Sequence, residues 1–179
     1  MLPESFQSDN YLLGYFGKDL VKAMLEKAGY TVCHYSYEDT LLDYMSKHTS
    51  KTSNSNTGRR IRKSPDLLVY DENTIFLTEI KTRTSSPPTI GEMGILKEFW
   101  NDAILVVIFP EKSLFYAQEV AKLDSTAFSY PLASFRKIQE IFTSIREEHL
   151  SYYRKIATQT LQMFMTEKQK ARLNSTMVS

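Results

Sequence analysis

Residues 64–83 read SPDLLVYDENTIFLTEIKTR and form the most informative segment of the chain. Two apolar runs, at residues 66–70 and 74–83, flank the polar triplet at 71–73. Apolar β-branched and aromatic residues on both sides of a short polar turn are typical of two adjacent antiparallel strands. The segment therefore predicts a β-hairpin with its turn at residues 71–73.

Three charged residues stand at the ends of these strands. Glu79 and Lys81 are two positions apart, so their side chains lie on one face of the second strand and Ile80 points to the other. Asp66 opens the first strand, and pairing through the turn can bring its carboxylate beside Glu79. Because buried unpaired charges are costly, the cluster favours a functional site. The alternative is a strand cap at Asp66 and a solvated Glu79–Lys81 ion pair.

Two carboxylates and an ammonium group suit a divalent cation that acts on phosphate. Mg²⁺ takes oxygen ligands from one or two carboxylates and leaves room for water and substrate phosphate. A bound ion would activate water, and Lys81 would orient or stabilise the attacking hydroxide. The pattern predicts metal-assisted hydrolysis of a phosphodiester, with Mg²⁺ or Mn²⁺ as cofactor, Asp66 and Glu79 as metal ligands and Lys81 as the catalytic lysine.

The composition is typical of a globular protein without a membrane span. The 179 residues carry 22 basic and 21 acidic side chains, and 42% are hydrophobic. The longest clean apolar run, residues 103–109, is far below the ~20 residues that a membrane span needs. The single cysteine of the chain, Cys33, allows neither an internal disulfide nor a thiolate zinc site. We expect a cytoplasmic protein with no membrane partner, since the N-terminus has no secretory signal pattern.

Basic residues are concentrated directly before the hairpin. No acidic residue lies between Asp43 and Asp66. The basic segment nearest the hairpin consists of Arg59, Arg60, Arg62 and Lys63. Such a patch on a nearly neutral protein is compatible with a polyanion partner, although a charge cluster is more often a solvated surface. The Ser/Thr/Asn-rich residues 49–58 ahead of it are predicted to form a mobile loop.

The remaining predicted elements complete a mixed α/β domain. Helices are predicted over residues 11–28, 38–48 and 90–102, and strands over residues 30–37, 103–109 and 113–118. The tail is predicted to be helical over residues 135–145 and 150–173. We divide the chain into a core of residues 1–125 and a C-terminal helical extension of residues 126–179. The extension either packs on the core or forms a dimer interface.

Two further motifs accompany the hairpin. The first helix reads GYFGKDL at residues 14–20 and then LEKAGY at residues 25–30, and the second strand ends in EIKTR at residues 79–83. Together with Pro65 and Asp66, they resemble the PD-(D/E)XK nuclease superfamily. They are similar to its Holliday-junction-resolvase-like members, which read roughly G-x-x-G-E-x-L, L-E-K-x-G-Y and E-V-K-T-R. The resemblance covers about two-thirds of the chain, residues 11–118.

This resemblance implies a restriction-endonuclease-like fold, a mixed central β-sheet flanked by helices, with DNA crossing the carboxylate face. It implies a metal-dependent DNA endonuclease in which Ile80 lends its backbone carbonyl to the metal beside Asp66 and Glu79. A double-stranded or branched DNA substrate and a homodimer are implied as well. We then expect Arg83 and the basic segment before the hairpin to contact DNA phosphates.

One position departs from the family's pattern. The relatives place a glutamate in the first helix as an additional acid of the site, and Lys18 is the matching residue here. Asp19 is the candidate to replace that acid in catalysis, although one residue is about 100° around a helix. Two hypotheses stay open: a metal-dependent nuclease, and a catalytically impaired DNA-binding protein that retains the fold. A structural α/β protein without a nucleic-acid partner is a third, weaker hypothesis.

Overall fold

A six-stranded mixed sheet organises the computed structural model, which describes residues 4–36, 55–84, 86–124 and 129–164. Its strands are β1 (Thr31–His34), β2 (Leu67–Tyr70), β3 (Ile75–Thr82), β4 (Ile104–Phe109), β5 (Leu114–Glu119) and β6 (Arg136–Lys137). The helices are α1 (Glu4–Lys27), α2 (Asn56–Arg62), α3 (Ile90–Phe99) and α4 (Glu147–Phe164). Short 3₁₀ turns lie at Pro110–Lys112, Val120–Lys122, Leu132–Ser134 and Ile138–Glu140.

The strands follow one another across the sheet in chain order. Neighbouring strands are antiparallel except for β3 and β4, which are parallel and connected through α3. The hairpin predicted from residues 64–83 is confirmed, because Leu67 pairs with Thr78 and Tyr70 pairs with Ile75. Its turn is closed by the Asp71 carboxylate, which accepts hydrogen bonds from Asn73 N and Thr74 N at 2.8 Å.

Helices cover both faces of the sheet. Every residue of β4 is buried, and its side chains alternate between two apolar clusters. One cluster packs Ile104, Val106 and Ile108 against residues of α1 and α4. The other packs Leu105, Val107 and Phe109 against Met93 and Leu96 of α3. The predicted fold class, a mixed central β-sheet flanked by helices, is confirmed.

The first helix is fixed at its C-terminal end and along one side. Gly29 follows it with a φ of 100°, a backbone conformation that glycine adopts without steric cost. Val21, Met24 and Leu25 are fully buried against the sheet. The hydroxyl of Tyr153 in α4 donates a hydrogen bond of 2.9 Å to the backbone oxygen of Ala23, which joins the two helices.

Two predictions of local structure were wrong. Residues 55–58 do not belong to a loop, because Ser55 caps α2 by accepting a hydrogen bond from Gly58 N. Residues 135–145 do not form a helix either: they contain β6 and a 3₁₀ turn. Their apolar spacing reflects burial from an irregular segment, in which Phe135, Ile138 and Phe142 all enter the core while β6 pairs with β5.

Several predictions fall partly or wholly outside the described residues. The helix predicted over residues 38–48 and the loop residues 49–54 are among them. The second tail helix is α4, which begins at Glu147, and residues 165–173 of that prediction lie outside. The division of the chain at residue 125 stays a prediction. Among the described residues, no helix has the length and apolar character that a membrane span requires.

Candidate active site

A notch in the sheet forms beside the first residue of β2, where β3 continues past it. β2 pairs with β3 only over Ile75–Thr78, whereas β4 pairs with β3 as far as Thr82. Pro65 has no backbone N–H to donate, which favours the start of β2 just after it. The Ile80 N–H in the projecting part of β3 donates instead to the Asp66 carboxylate, with 2.8 Å between the nitrogen and Oδ2.

The first helix brings an ammonium group to this notch. The Nζ atom of Lys18 lies 2.7 Å from Oδ1 of Asp66. The side chains of this pair are 19% and 9% exposed, so water screens their attraction only in part. The neighbouring residue Gly17 allows α1 to approach so closely, because a Cβ at that position would lie 1.9 Å from Oγ1 of Thr82.

The projecting strand carries the second ion pair of the site. The Nζ atom of Lys81 lies 2.6 Å from Oε1 of Glu79, whose side chain is 14% exposed. Burial raises the pKa of Glu79, and the nearby Asp66 carboxylate raises it further. The ammonium groups of Lys81 and Lys18 lower it, but the pKa stays above its ordinary value. Two carboxylates therefore lie close together, and the surroundings of Glu79 disfavour its negative charge.

The structure thus brings together Asp66, Glu79 and Lys81, and their catalytic and metal-binding roles stay predictions. Asp19 lies on the exposed side of α1 and is not brought into this cluster. Within the described part of the chain, no three Asp, Glu, His or Cys side chains converge as a metal-binding group. The notch accordingly offers two carboxylates, and the ammonium group of Lys18 lies beside one of them.

Asp66 and Glu79 supply the kind of oxygen atoms that a divalent cation prefers as ligands. Mg²⁺ is commonly held by one or two carboxylates with water completing its shell, so two acids suffice. A cation would also relieve the unfavourable charge that raises the pKa of Glu79. Lys18 is the feature that opposes the fit, because its ammonium group already neutralises Asp66.

The predicted DNA-contacting residues lie mostly on α2, beside α3. Arg59 pairs with Glu98 at 3.1 Å, and its guanidinium lies 5.7 Å from the ring centre of Phe99. Arg60 lies over the Trp100 ring at 4.8 Å. The other two basic residues of this segment are the partly buried Arg62 and the exposed Lys63.

Arg83, at the end of β3, forms an ion pair with Glu92 of α3. The contacts of the α2 arginines with Phe99 and Trp100 were not predicted from the sequence. Both aromatic rings are only partly buried. Nothing local to either segment indicates that residues so distant along the chain will meet.

The comparisons with known proteins leave the family of this chain open. No protein-family model matches it, and no curated protein has a significantly similar sequence. Among solved structures, it is similar to Hjc of Archaeoglobus fulgidus, a Holliday junction resolvase from an archaeal hyperthermophile. The match has a TM-score of 0.47 and 16% identity, and it covers 73% of this chain and 95% of Hjc. At this distance the likeness assigns no activity.

Proposed function

We propose that this protein is a metal-dependent DNA endonuclease that hydrolyses phosphodiester bonds. The observation that carries the proposal is the meeting of Asp66, Glu79 and Lys81 at the notch between β2 and β3. Two carboxylates close together in a largely buried site are the ligands that a divalent cation prefers, and an adjacent ammonium group suits a phosphate substrate. The sequence resemblance to the PD-(D/E)XK superfamily at the same residues is an independent support.

In the proposed mechanism, Asp66 and Glu79 would hold Mg²⁺ or Mn²⁺, and the backbone carbonyl of Ile80 would complete the protein ligands. When bound, the ion would supply Lewis-acid activation of water and of the phosphoryl group. Lys81 orients the attacking water and stabilises the negative charge that develops on the phosphate oxygens. The hydrogen bond from Ile80 N fixes the Asp66 carboxylate, so this ligand is already oriented before substrate arrives.

The proposed substrate is double-stranded or branched DNA. The last basic residue of α2, Arg62, stands four positions before Asp66, so we expect phosphates that contact this helix to lie near the notch. Such contacts position the duplex and carry no sequence information. The sequence resemblance to Holliday-junction-resolvase-like proteins favours a homodimer, because a four-way junction requires two symmetric cuts.

Cleavage of labelled duplex, single-stranded and four-way-junction DNA tests the proposal, with and without Mn²⁺. We expect cleavage only with the metal, and we expect Lys81→Ala to reduce its rate by about 10²–10³-fold. Lys122→Ala is a matched control, because Lys122 forms an equally short ion pair of 2.6 Å with Glu119, away from the notch. A Lys81→Ala variant as active as the control would contradict the mechanism.

The ion pair between Lys18 and Asp66 favours a second candidate function, a DNA-binding protein that retains the fold but does not cut. Under this alternative, neither wild type nor Glu79→Ala cleaves DNA, and both bind it with the same affinity whether or not Mn²⁺ is present. The two functions are therefore separated by one set of cleavage and binding measurements. Absence of salt-dependent DNA binding would exclude both.

A further inference from the structure

We propose that Lys18 is a displaceable counter-ion of the site. It neutralises Asp66 when no metal is bound, competes with a divalent cation for Oδ1 of Asp66, and pairs with a substrate phosphate once displaced. The inference rests on the proposed function and deepens it, because it assigns the residue that couples metal binding to phosphate binding.

The first argument is the occupancy of the Asp66 carboxylate. Oδ2 accepts the hydrogen bond from Ile80 N, and Oδ1 contacts Nζ of Lys18. The bond from Ile80 belongs to the backbone of the sheet, and breaking it would leave a buried N–H without an acceptor. Lys18 is a side chain with rotatable bonds, so it is the partner that can leave. A cation therefore reaches Asp66 most readily through Oδ1, by replacing Lys18.

The second argument is charge balance. Asp66 and Glu79 carry two negative charges, and Lys18 and Lys81 carry two positive charges, so the four groups form a neutral cluster. A divalent cation added to this cluster leaves it positive. Two like charges a few ångströms apart in a partly buried site repel strongly, which drives the ammonium of Lys18 away from the metal. A bound substrate phosphate then supplies negative charge that attracts both the metal ion and the ammonium group of Lys18.

The third argument is the position of Lys18 at the rim of the site. Its side chain is 19% exposed, and Nζ also lies 5.3 Å from the centre of the Tyr15 ring. Tyr15 is 37% exposed, so this cation–π contact lies on the solvent side of α1. An ammonium group that leaves Asp66 thus keeps an attractive partner at the edge of the notch, where a phosphate can reach it.

Lys22 provides a matched control on the same helix. It lies one turn after Lys18 and forms an ion pair with Glu26. Glu26 is exposed and takes no part in the notch. Variants of Lys22 remove the same charge from the same helix but leave Asp66 neutralised, so they separate a specific effect of Lys18 from a general change in electrostatic potential.

Calorimetric titration of the DNA-free protein with Mn²⁺ is the first test. We expect Lys18→Met to bind Mn²⁺ at least about tenfold more tightly than wild type, because the competing charge is gone. Lys22→Met should change the affinity by less than about threefold, because its charge is more distant and better screened. Equal or weaker Mn²⁺ binding by Lys18→Met would overturn the inference.

A second measurement covers the case in which Lys18→Met does not fold. The ¹⁵N NMR signal of each lysine Nζ is followed in wild type as Mg²⁺ is added, and Lys18→Arg identifies the Lys18 signal. We expect the Lys18 signal to shift on addition of Mg²⁺ and the Lys22 signal to stay in place. An unmoved Lys18 signal at saturating Mg²⁺ shows that the ion pair with Asp66 persists, which overturns the inference.

The phosphate contact is tested by measuring DNA binding in the Lys81→Ala background, in which cleavage is slowed. With Mg²⁺ present, adding Lys18→Met should weaken duplex binding. It should also lower the slope of log affinity against log salt by about 1, as expected for one lost phosphate contact. Adding Lys22→Met should leave the slope unchanged. An unchanged slope in the Lys18 variant would remove the proposed phosphate contact.

The outcomes separate the inference from the proposed function. Tighter Mn²⁺ binding by Lys18→Met, together with no DNA cleavage by wild type, would support the inference and refute the endonuclease. Unchanged Mn²⁺ binding together with Lys81-dependent cleavage would refute the inference and leave the endonuclease standing. If neither wild type nor Lys18→Met binds Mn²⁺, both the inference and the endonuclease are refuted.

Discussion

Two helices meet the projecting end of β3, and they are attached to it by contacts of different kinds. On one side, α1 is attached by contacts that are largely closed to water. Gly17 lies directly against Thr82, and Lys18 forms an ion pair with Asp66, which is 7% exposed. Breaking a buried pair by removing one partner leaves an uncompensated charge, so contacts of this kind are costly to lose.

On the other side, α3 is attached through exposed polar groups. Glu92 accepts hydrogen bonds from Thr89 in a capping box and forms an ion pair with Arg83 at the end of β3. Exposed ion pairs contribute little to stability because water screens them. The geometry of the notch therefore depends mainly on α1. The ion pair of Glu92 with Arg83 adds little to it, because α3 itself is held by Met93 and Leu96, which are buried against β4.

Asp66→Ala should produce the largest effect, a loss of about 3 kcal/mol in the free energy of unfolding. The substitution removes the acceptor of Ile80 N and leaves the ammonium of Lys18 without its carboxylate. Urea denaturation measures the change. Asp19→Ala, on the exposed side of α1, is the control and should stay within about 0.5 kcal/mol of wild type. Equal stability of the two variants would show that α1 is not held through Asp66.

Gly17→Ala should lower the free energy of unfolding by about 2 kcal/mol, because the new Cβ enters the space of Thr82 Oγ1. Gly14→Ala is the control one turn earlier, where an added Cβ meets nothing within 4 Å. That control should gain up to about 1 kcal/mol from the higher helix propensity of alanine. Adding Thr82→Ala to Gly17→Ala should recover part of the loss. Two alanine variants of equal stability would disprove the close contact.

Glu92→Gln should have the smallest effect, a loss of about 1 kcal/mol at neutral pH. Burial raises the pKa of Glu92, but hydrogen bonds from Thr89 and the charge of Arg83 lower it overall, below its ordinary value of 4.5. The folded state therefore favours the ionised carboxylate, and this stabilisation is present above pH 4.5 and is lost as the pH falls below it.

Urea denaturation of wild type and Glu92→Gln at several pH values between pH 7 and pH 3 tests this dependence. The stability difference between wild type and Glu92→Gln should shrink as the solution is acidified below the ordinary glutamate pKa of 4.5. Glu98→Gln is the control, because Glu98 lies on the same helix and pairs with Arg59 away from the cap. A difference that stays constant down to the lowest pH would show that the cap does not depend on the charge.

The sequence predicted the part of the site that depends on the spacing of residues within one hairpin. Alternation along one strand places Glu79 and Lys81 on one face, and a three-residue polar turn brings Asp66 opposite them. Both arguments require only the period of a strand and the geometry of a hairpin. The same local logic predicted the fully buried strand β4 and the first helix.

The parts that the sequence did not predict are contacts between distant segments. The ion pair of Lys18 with Asp66 depends on how closely α1 packs on β3, which local spacing does not report. The contact of Arg60 with Trp100 likewise depends on the docking of α2 against α3. The helix predicted over residues 135–145 was wrong for a related reason. Apolar spacing indicates which side chains are buried, and in this segment they are buried by turns and a short strand.

The contact between Arg60 and Trp100 has a spectroscopic consequence. Trp100 is the only tryptophan of the chain, so its fluorescence comes from a single place. The guanidinium of Arg60 lies 4.8 Å from the centre of its ring, and Tyr35 lies edge-on at 6.3 Å. A phosphate that draws Arg60 off the ring changes the polarity around the indole. The intrinsic emission of the unlabelled protein therefore reports whether a polyanion has reached α2.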